Sequence, residues 1–340
     1  MKKLFFSLLL LVIAGNVMAG GKTAKVGAKC QCVIFDTDMG NDVDDVLALD
    51  MLYKYMDAGK INLLAIMTNK NGAGSAHFLD IMNTWYGYPN IPIGIVRNGA
   101  KCDNTNNYAQ IVSDMKVDGK QMFRTMVADV TKLPDAEKLY RKVLARQPDH
   151  SVVIISTGFS TNLARLLDTK GDAYSPLSGR ELMARKVQYL SLMAGSFKGL
   201  TEYNVVTDIP ACAKLFAESP VPIVTSPFEL GETVKYPGQS IQNDFSWAPL
   251  HPLVKAFESY LPMPYDRPTW DPTAVLQVLE PGKFMTKSAA GNIFVDAEGH
   301  TYYKKSLDGK DYYLTITPEQ GEKIKNFFVS VVTKKPKNKR

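Results

Sequence analysis

The sequence predicts an α/β fold, in which a single large domain has a mostly parallel central sheet flanked by helices, with a small C-terminal β-hairpin appendage. Short apolar runs alternate with stretches of helical periodicity along most of the 340 residues. This alternation is typical of right-handed βαβ units, which cover both faces of a parallel sheet with helices. An apolar content of 45% and a charged content of 22% are ordinary for a soluble globular protein. No linker long enough to separate two domains interrupts the pattern.

The first residues precede this domain and have the pattern of a secretory signal. Met1-Lys2-Lys3 gives a positive start, residues 4–13 form an unbroken apolar run, and Val17-Met18-Ala19 offers a cleavage site. Because the run is too short and wrongly flanked for a stable membrane span, cleavage is a better interpretation than a retained anchor. We therefore expect a signal peptide over residues 1–19 and an exported, periplasmic protein.

The formal net charge of +6 does not belong to the folded body. Lys2 and Lys3 leave with the signal, and the tail over residues 334–340 carries five further cations. The remaining 33 basic residues balance 34 acidic ones. A nucleic-acid-binding protein carries its basic excess on the folded body, so we expect no nucleic-acid partner. We expect a small-molecule partner and no membrane contact after signal cleavage, while a homo-oligomer stays open.

Each predicted strand is a short apolar run that ends at polar or turn residues, and each predicted helix has apolar residues spaced three and four apart. The strands are predicted at residues 32–35, 63–68, 91–96, 152–156, 187–193 and 221–225. The helices between them are predicted at residues 46–56, 75–86, 136–146, 161–167 and 209–218. Gly59 and Gly87 end the first two helices, since glycine is common just after a helix.

The C-terminal part of the chain departs from this alternation. After a helix predicted at residues 272–279, residues 291–317 are rich in β-forming residues, with turns at Glu298-Gly299 and Asp308-Gly309. This pattern predicts the small hairpin appendage, and a last helix is predicted at residues 318–332.

The predicted topology locates a binding site before any motif is considered. In open parallel sheets, ligands bind beyond the carboxyl ends of the strands. The segments that follow four of the predicted strands are rich in polar or small residues, and they cover residues 36–45, 69–74, 157–162 and 195–204. We therefore expect a binding site where these four segments meet.

The first of these segments places five aspartates within ten residues, at Asp36, Asp38, Asp42, Asp44 and Asp45. Carboxylates this close repel one another unless a cation neutralises them, and all-oxygen ligands favour Ca²⁺ or Mg²⁺. An EF-hand loop needs a glutamate at its twelfth position, where the sequence has Leu47, so an EF-hand is excluded. A solvated acidic loop is the simplest alternative, but the cluster directly follows a buried strand.

Two enzyme families place Asp-x-Asp after their first strand. Haloacid-dehalogenase-type phosphatases continue with a Gly-Thr pair, which is absent here. Nucleoside hydrolases of the inosine-uridine preferring type continue with a Gly and then an Asp-Asp pair that opens a helix. This sequence resembles the second family through Asp36-Thr37-Asp38-Met39-Gly40 and then Asp44-Asp45, with two extra residues before the pair.

Four later segments are similar to the same family, in the same order. Residues 63–72 (LLAIMTNKNG) resemble its second strand with a sugar-contacting Asn, and residues 156–164 (STGFSTNLA) resemble its Thr-Gly-x-x-Thr-Asn element. Residues 201–204 (TEYN) resemble the Glu-Phe-Asn element that binds ribose, and residues 270–275 (WDPTAV) resemble the segment with the last metal aspartate. The resemblance covers about residues 33–279 and leaves the hairpin outside.

The resemblance implies a Rossmann-like nucleoside hydrolase fold and hydrolysis of an N-glycosidic bond. It implies a Ca²⁺ ion held by Asp38, Asp45, Asp271 and the Thr157 carbonyl. The ion would lower the pKa of a bound water, and Asp38 would also be the catalytic general base. The ribose hydroxyls would be bound by Asp44, Asn71, Glu202 and Asn204, with Asn69 as a competitor of Asn71.

Three further residues have less defined roles. Many family members carry His before the last metal aspartate, where this chain has Trp270. Trp cannot donate a proton usefully but can stack on a purine face, as in the purine-preferring branch, so we expect purine nucleosides to bind there. A role of Trp270 as a plain wall residue stays open. Asp36 is expected to orient the metal ligands, and Asp42 is interpreted as a loop residue without a role.

The sequence thus predicts an exported, calcium-dependent hydrolase that releases ribose and free base from ribonucleosides and serves purine salvage. The catalytic domain would cover residues 30–283, and the hairpin, helix and basic tail over residues 284–340 would pack on the same domain. One alternative is a periplasmic nucleoside- or sugar-binding protein on the same fold without catalysis. An Asp-x-Asp phosphatase is a less favoured alternative.

Overall fold

The computed structural model of the protein describes residues 30–103 and 107–337. The predicted signal peptide, residues 1–19, lies outside the described residues. Within the described part, no helix is both long and apolar enough to cross a membrane.

Eight strands of the described chain form one central sheet. They are β1 (Gln31–Thr37), β2 (Ile61–Thr68), β3 (Ile93–Ile95), β6 (Val152–Ser156), β7 (Val187–Met193), β8 (Ile223–Ser226), β11 (Thr286–Lys287) and β14 (Tyr312–Thr315). Their spatial order is β11-β14-β8-β7-β6-β1-β2-β3. Only β11 pairs antiparallel, at one edge, so the sheet is mostly parallel as predicted.

Three small two-stranded sheets accompany the central one. They pair β4 (Lys116–Val117) with β5 (Lys120–Gln121), β9 (Lys235–Tyr236) with β10 (Arg267–Pro268), and β12 (Gly291–Val295) with β13 (Thr301–Lys305).

Helices cover both faces of the central sheet. In the described chain they are α1 (Asp44–Asp57), α2 (Ala73–Trp85), α3 (Tyr108–Ser113), α4 (Ala136–Ala145), α5 (Thr161–Asp168), α6 (Gly179–Lys186), α7 (Tyr203–Thr207), α8 (Ile209–Glu218), α9 (Phe228–Thr233), α10 (Gly238–Asn243), α11 (Pro252–Tyr260), α12 (Trp270–Leu279) and α13 (Pro318–Val332). A 3₁₀ turn occupies Val130–Lys132.

The central strand β1 shows why its sequence is an uninterrupted apolar run. Phe35 packs into the core layer that contains Leu47 of α1 and Val275 of α12. Ile34 points to the opposite layer, which contains Leu163 of α5. Because successive side chains of a strand face opposite sides, a strand covered by helices on both faces needs apolar residues at every position.

The strand register brings the carboxyl ends of the central strands to one level. Thr37 at the end of β1 pairs with Thr68 of β2, and Asp36 pairs with Ser156 of β6. The backbone N–H of Thr157 then donates to the Asp36 carbonyl at 2.8 Å. The polar segments predicted to meet therefore start from the same edge of the sheet.

The predicted elements agree with the structure most closely where the apolar pattern is strong. The strands at residues 152–156 and 187–193 and the helices at residues 209–218 and 318–332 have the predicted bounds. The hairpin prediction is confirmed for β12 and β13, which are joined through Glu298-Gly299. The strand after Asp308-Gly309 differs, because β14 pairs parallel with β8 and lengthens the central sheet.

Candidate metal and substrate site

The loop between β1 and α1 carries the aspartates to the carboxyl edge of the sheet. Gly40 has a φ of +105°, and a Cβ there would lie 3.0 Å from the Asn107 Oδ1 atom. Glycine is favoured at this turn because other residues rarely adopt such a conformation. The turn leads into α1, whose first turn contains Asp44 and Asp45. The helix dipole favours negative charge at this end.

Asp38, Asp45 and Asp271 form a group that we call the acidic triad. Each of them offers one carboxylate oxygen, and these oxygens lie within 4.8 Å of one another. All three side chains are buried. They come from the β1–α1 loop, the first turn of α1 and the first turn of α12, so the triad joins segments far apart in the sequence.

Burial and mutual repulsion raise the pKa values of the triad. Burial raises the pKa of Asp38 to about 7, although a hydrogen bond from Asn41 opposes the shift. The pKa values of Asp45 and Asp271 lie well above the ordinary range, first because of burial and then because neighbouring carboxylates repel them. The Asp45 Oδ2 atom is buried and has no hydrogen-bond partner.

A hard divalent cation fits this arrangement. A buried carboxylate oxygen without a partner is costly, and a cation would satisfy it and remove the repulsion within the triad. Three carboxylates with no nitrogen or sulfur ligand suit Ca²⁺ or Mg²⁺ better than zinc or copper. The triad is therefore a candidate metal centre.

Two threonines hold the other oxygen of Asp45. The hydroxyls of Thr37 and Thr157 both donate to Asp45 Oδ1, the second at 3.2 Å. The Thr157 carbonyl accepts a hydrogen bond from Asn204 Nδ2 at 3.0 Å. A carbonyl oxygen has a second lone pair, so metal ligation by Thr157 stays a prediction.

A pocket opens beside the triad, with about 390 Å³ of space between the protein atoms, part of it open to solvent. The lining residues are Asp38, Asn41, Asp42, Thr157, Met193, Glu202, Tyr203, Asn204, Phe228, Trp270 and Asp271. Carboxylates and amides thus share the pocket with aromatic rings, which suits a ligand with one polar and one flat apolar part.

Glu202 and Asn204 enter the pocket at the start of α7. The Glu202 carboxylate accepts hydrogen bonds from the backbone N–H groups of Gly195 (3.0 Å), Asn204 (2.7 Å) and Val205 (3.2 Å). Burial raises the pKa of Glu202 to about 7, and these hydrogen bonds oppose the shift. Asn204 Nδ2 also donates to the Met193 carbonyl at 3.1 Å. Both side chains are therefore held in place before any ligand binds.

Trp270 forms part of an aromatic wall of the pocket. Its ring stacks on Phe228 with centroids 5.5 Å apart, and its Nε1 donates to the Phe228 carbonyl at 3.1 Å. The guanidinium of Arg267 lies 4.9 Å from the Trp270 ring centroid. These contacts fix the orientation of the indole.

The structure does not place Asp44 and Asn71 in the lining of this pocket. Asp44 accepts a hydrogen bond from the backbone N–H of Asp271 at 3.1 Å, and Arg267 lies 3.5 Å from its other oxygen. Asn71 accepts from the Gly99 N–H at 2.9 Å and donates to the Ala100 carbonyl at 2.8 Å. The competitor Asn69 is buried and does not line the pocket either; it donates to Asp36 and accepts from the Phe159 N–H.

The two extra residues of the aspartate loop lie in the pocket instead. Asn41 donates to Asp38 Oδ2 at 2.5 Å, while Lys70 donates to the other end of the Asn41 amide. Asp42, interpreted from the sequence as a loop residue, forms an ion pair with Arg267 at 2.7 Å and accepts from the Tyr260 hydroxyl at 2.8 Å. In the sequence, they lie between the Asp-x-Asp-x-Gly segment and the Asp-Asp pair, where this chain has two extra residues. That insertion was the signal that could have identified them.

Asp36 is fully buried beside the triad but faces other partners. It accepts hydrogen bonds from Asn69 Nδ2 (2.8 Å), the Tyr140 hydroxyl (2.8 Å) and Asn162 Nδ2 (3.1 Å). Burial raises its pKa to about 7, and these three hydrogen bonds oppose the shift. Asp36 thus ties the end of β1 to β2, α4 and α5, and its hydrogen-bond partners are not members of the triad.

Carboxylates converge on a candidate metal centre beside an aromatic pocket, at the carboxyl edge of a parallel sheet. This arrangement is that of an α/β protein with a site suited to metal-assisted chemistry on a small molecule. The sequence of residues 33–337 matches the family described as inosine-uridine preferring nucleoside hydrolases. The chain belongs to this family, and it is therefore a hydrolase acting on N-glycosyl compounds. The match extends beyond the sequence motifs into the C-terminal segment.

Solved structures show the same fold. A plant nucleoside hydrolase is 16% identical, with a TM-score of 0.70, and the alignment covers 90% of this chain and 99% of that one. A purine-preferring ribonucleoside hydrolase from Gardnerella vaginalis is 16% identical, with a TM-score of 0.68 and coverage of 89% and 98%. An inosine-uridine preferring nucleoside hydrolase from Bacillus anthracis is 16% identical, with a TM-score of 0.66 and coverage of 88% and 99%. Among curated proteins, the sequence search finds no match.

Proposed function

We propose that the protein is a calcium-dependent hydrolase that cleaves the N-glycosidic bond of ribonucleosides and releases ribose and free base. The observation that carries the proposal is the acidic triad, in which three buried carboxylates converge beside the pocket and one of them, Asp45, has an oxygen without a hydrogen-bond partner. Membership in the nucleoside hydrolase family is the reason to propose the N-glycosidic bond as the bond that is cleaved.

Asp38, Asp45 and Asp271 would hold the Ca²⁺ ion, with the Thr157 carbonyl as a further ligand. A bound Ca²⁺ would neutralise the triad and make the attacking water more acidic. Ca²⁺ tolerates irregular oxygen shells of six to eight ligands, and the remaining ligands would come from water and from the sugar.

Asp38 is the proposed general base. Its Oδ2 is taken by the Asn41 amide at 2.5 Å, so Oδ1 is the oxygen left for the triad and for a proton from water. Lys70 donates to Asn41 Oδ1, which orients the amide with its N–H groups towards Asp38. Because the carboxylate is already held in one orientation, less entropy is lost when it reaches the geometry for proton transfer from water.

Glu202 and Asn204 are proposed to bind the ribose, together with Asp42. Cleavage of a glycosidic bond passes through an oxocarbenium-like state, and contacts that strengthen as the ring flattens act mainly in that state. The backbone N–H groups on Glu202 favour its ionised form, which can accept from sugar hydroxyls and stabilise the developing positive charge. For Asp44 and Asn71 we propose supporting roles, since Asp44 holds the backbone of Asp271 and Asn71 holds the loop at Gly99.

Trp270 is proposed to stack on the base and to favour purines. One structural neighbour is described as purine-preferring and another as inosine-uridine preferring, so the fold alone does not choose between bases. A larger purine face gains more from stacking on a fixed indole. We expect Trp270→Ala to raise KM for inosine more than for uridine, measured by steady-state kinetics. Equal increases for both substrates would contradict a stacking role.

We further propose that the protein is exported after cleavage of residues 1–19 and serves purine salvage in the periplasm. The basis is the charged, apolar and small-residue pattern of the N-terminus. N-terminal sequencing of the protein recovered from the periplasm of its bacterial host should start near Gly20. Recovery of the intact N-terminus in the membrane fraction would contradict it.

The decisive experiment incubates the protein with inosine and with uridine, with Ca²⁺ or with EDTA, and measures free reducing ribose. We expect ribose release that EDTA abolishes and that added Ca²⁺ restores. Nucleoside binding by calorimetry without ribose release would favour the periplasmic binding protein instead. Release of phosphate from a nucleotide without free base would favour the phosphatase.

A further inference from the structure

The departing base needs a proton, and the pocket does not show an obvious donor. When the C1′–N bond breaks, its electron pair stays on the base nitrogen, and protonation makes the base a better leaving group. Histidine is the commonest side chain for this task. Among the described residues, no histidine lines the pocket.

The carboxyl groups of the pocket are poorly suited as donors. Asp42 pairs with Arg267 at 2.7 Å through one oxygen and accepts from the Tyr260 hydroxyl at 2.8 Å through the other, so both oxygens already act as acceptors. Glu202 has a raised pKa, but both of its oxygens accept from backbone N–H groups and it is already proposed to bind the ribose, so it is not placed to direct a proton at the base. Asp38 and Asp271 belong to the triad, where a cation would keep them ionised.

The neutral polar groups of the pocket other than Tyr203 are amides, which do not give up a proton at neutral pH, or groups whose one hydrogen is engaged. Asn41 donates to Asp38, and Asn204 donates to the carbonyls of Thr157 and Met193. The Thr157 hydroxyl donates to Asp45 Oδ1. The indole N–H of Trp270 donates to the Phe228 carbonyl at 3.1 Å.

Tyr203 is the remaining lining residue with a hydrogen that can be transferred. It is the first residue of α7 and is 44% exposed, and its ring packs edge-on against Phe159 with centroids 5.9 Å apart. Its oxygen accepts from the Asp103 backbone N–H at 3.4 Å. A hydrogen bond with Thr207 acts to lower the pKa of Tyr203, which is the effect of a hydroxyl that donates to the phenolic oxygen. With Asp103 and Thr207 as donors, the phenolic hydrogen can point to a ligand in the pocket. Burial of the ring raises the pKa of Tyr203, so the phenol is protonated at neutral pH.

We propose that Tyr203 is the catalytic proton donor to the leaving base, an inference that rests on the proposed function. The C1′–N bond breaks, its electron pair goes to the base nitrogen, and the phenolic proton of Tyr203 moves to the base. The oxygen of water bonds to C1′, and Asp38 takes the proton that this water loses. The tyrosinate then recovers a proton from solvent, which its exposed position allows, and Asp38 returns its proton to solvent. The net reaction is nucleoside plus water to ribose plus base.

The test compares two leaving groups on the full-length enzyme with Ca²⁺. Inosine releases a base that needs a proton, whereas p-nitrophenyl β-D-ribofuranoside releases a stable phenolate that needs none. We expect Tyr203→Phe to lower kcat on inosine by about 100-fold or more and to change kcat on the nitrophenyl riboside by about twofold or less. KM for inosine should change little, since the ring remains.

Tyr302→Phe is the matched control, because Tyr302 is an exposed hairpin tyrosine whose hydroxyl bonds to Asp296 outside the pocket. It should leave both reactions unchanged. Equal loss of kcat on both substrates in Tyr203→Phe would overturn the proposal in favour of a packing role, and no loss on inosine would overturn it as well. If the wild-type enzyme hydrolyses neither substrate, the proposed function itself fails, which is a distinct result.

Discussion

The end of β1 carries two buried acidic groups whose surroundings are opposite. The carboxylate of Asp36 is surrounded by donors from Asn69, Tyr140 and Asn162. The three carboxylates of the acidic triad share three side-chain donors, from Asn41, Thr37 and Thr157, and Asp45 Oδ2 has no partner. Asp36 and Asp38 are only two positions apart, so they lie on the same strand end and yet belong to different kinds of site.

The contrast shows that burial of a carboxylate does not by itself indicate a metal site. A buried carboxylate with enough donors is satisfied within the protein and acts as a structural link. A set of carboxylates that face one another lacks such donors, and its stability then depends on a cation. A buried carboxylate is therefore structural when its neighbours are hydrogen-bond donors, and it indicates a metal site when its neighbours are other carboxylates. Four experiments test this distinction.

The largest expected effect is the loss of activity in Asp38→Ala. This variant removes both a proposed metal ligand and the proposed base, so kcat on inosine should fall by at least about 10³-fold. The circular dichroism spectrum and the urea midpoint should stay close to those of the wild type, since the donor that loses its acceptor is the half-buried Asn41 amide, which water can reach. Near wild-type turnover would refute the role of the triad in catalysis.

The opposite behaviour is expected for Asp36→Leu, whose main effect should be on stability. Each buried donor left without an acceptor costs about 1–3 kcal/mol, so the free energy of unfolding should fall by several kcal/mol. Urea unfolding monitored by fluorescence measures this change. Asp36→Asn keeps the side-chain volume and one acceptor oxygen, so its free energy of unfolding should fall by less than that of Asp36→Leu. An unchanged urea midpoint in Asp36→Leu would show that Asp36 is not a structural link.

For Asp45→Asn in the absence of metal, we expect a smaller change in the free energy of unfolding, and an increase instead of a decrease. An amide can still accept from Thr37 and Thr157, while its N–H groups face Asp38 and Asp271 in place of a repelling oxygen. The metal-free variant should therefore be more stable than the metal-free wild type, by on the order of 1 kcal/mol. Thermal unfolding in EDTA measures the difference. A less stable variant would mean that the triad is not under repulsion.

Much of the site could be predicted because it follows from the topology. Asp38, Thr157, Glu202 and Asn204 each come after a strand with a clear apolar pattern, and parallel strands bring their carboxyl ends to one edge. The burial of residues on both sides of the sheet makes those strands easy to recognise. Their order along the chain was then enough to expect that they meet.

The remaining features depend on contacts that no local pattern contains. Asp44 and Asp45 are neighbours in the first turn of α1, and the rotation of about 100° between successive helical residues sends Asp45 to the triad and Asp44 to Arg267. Arg267 reaches Asp42 from β10, more than 220 residues later in the chain. The pairing of β14 with β8 is similarly non-local. The short helices α9, α10 and α11 were not predicted, since six to nine residues give little periodicity.

The most selective effect is expected in the pH dependence of stability. Burial raises the pKa of Asp36 and of Asp38 to about 7, and of Asp44 to about 6, all above the unfolded value of 3.8. The folded chain therefore binds protons more tightly than the unfolded chain, and the free energy of unfolding falls as the pH rises from about 4 towards 7. In EDTA, thermal unfolding between pH 5 and about pH 8 should show this fall.

Calcium should affect only one of the two acidic groups. A bound cation lowers the pKa values of the triad in the folded state, so the triad then no longer contributes to the fall in stability. Asp36 faces neutral donors and should keep its contribution with or without the metal. The stabilisation by Ca²⁺ should therefore be larger at pH 8 than at pH 5, and the slope with pH should be shallower with Ca²⁺ but not zero. Identical slopes with Ca²⁺ and with EDTA would mean that the triad does not bind the ion, and the distinction between the two groups would be lost.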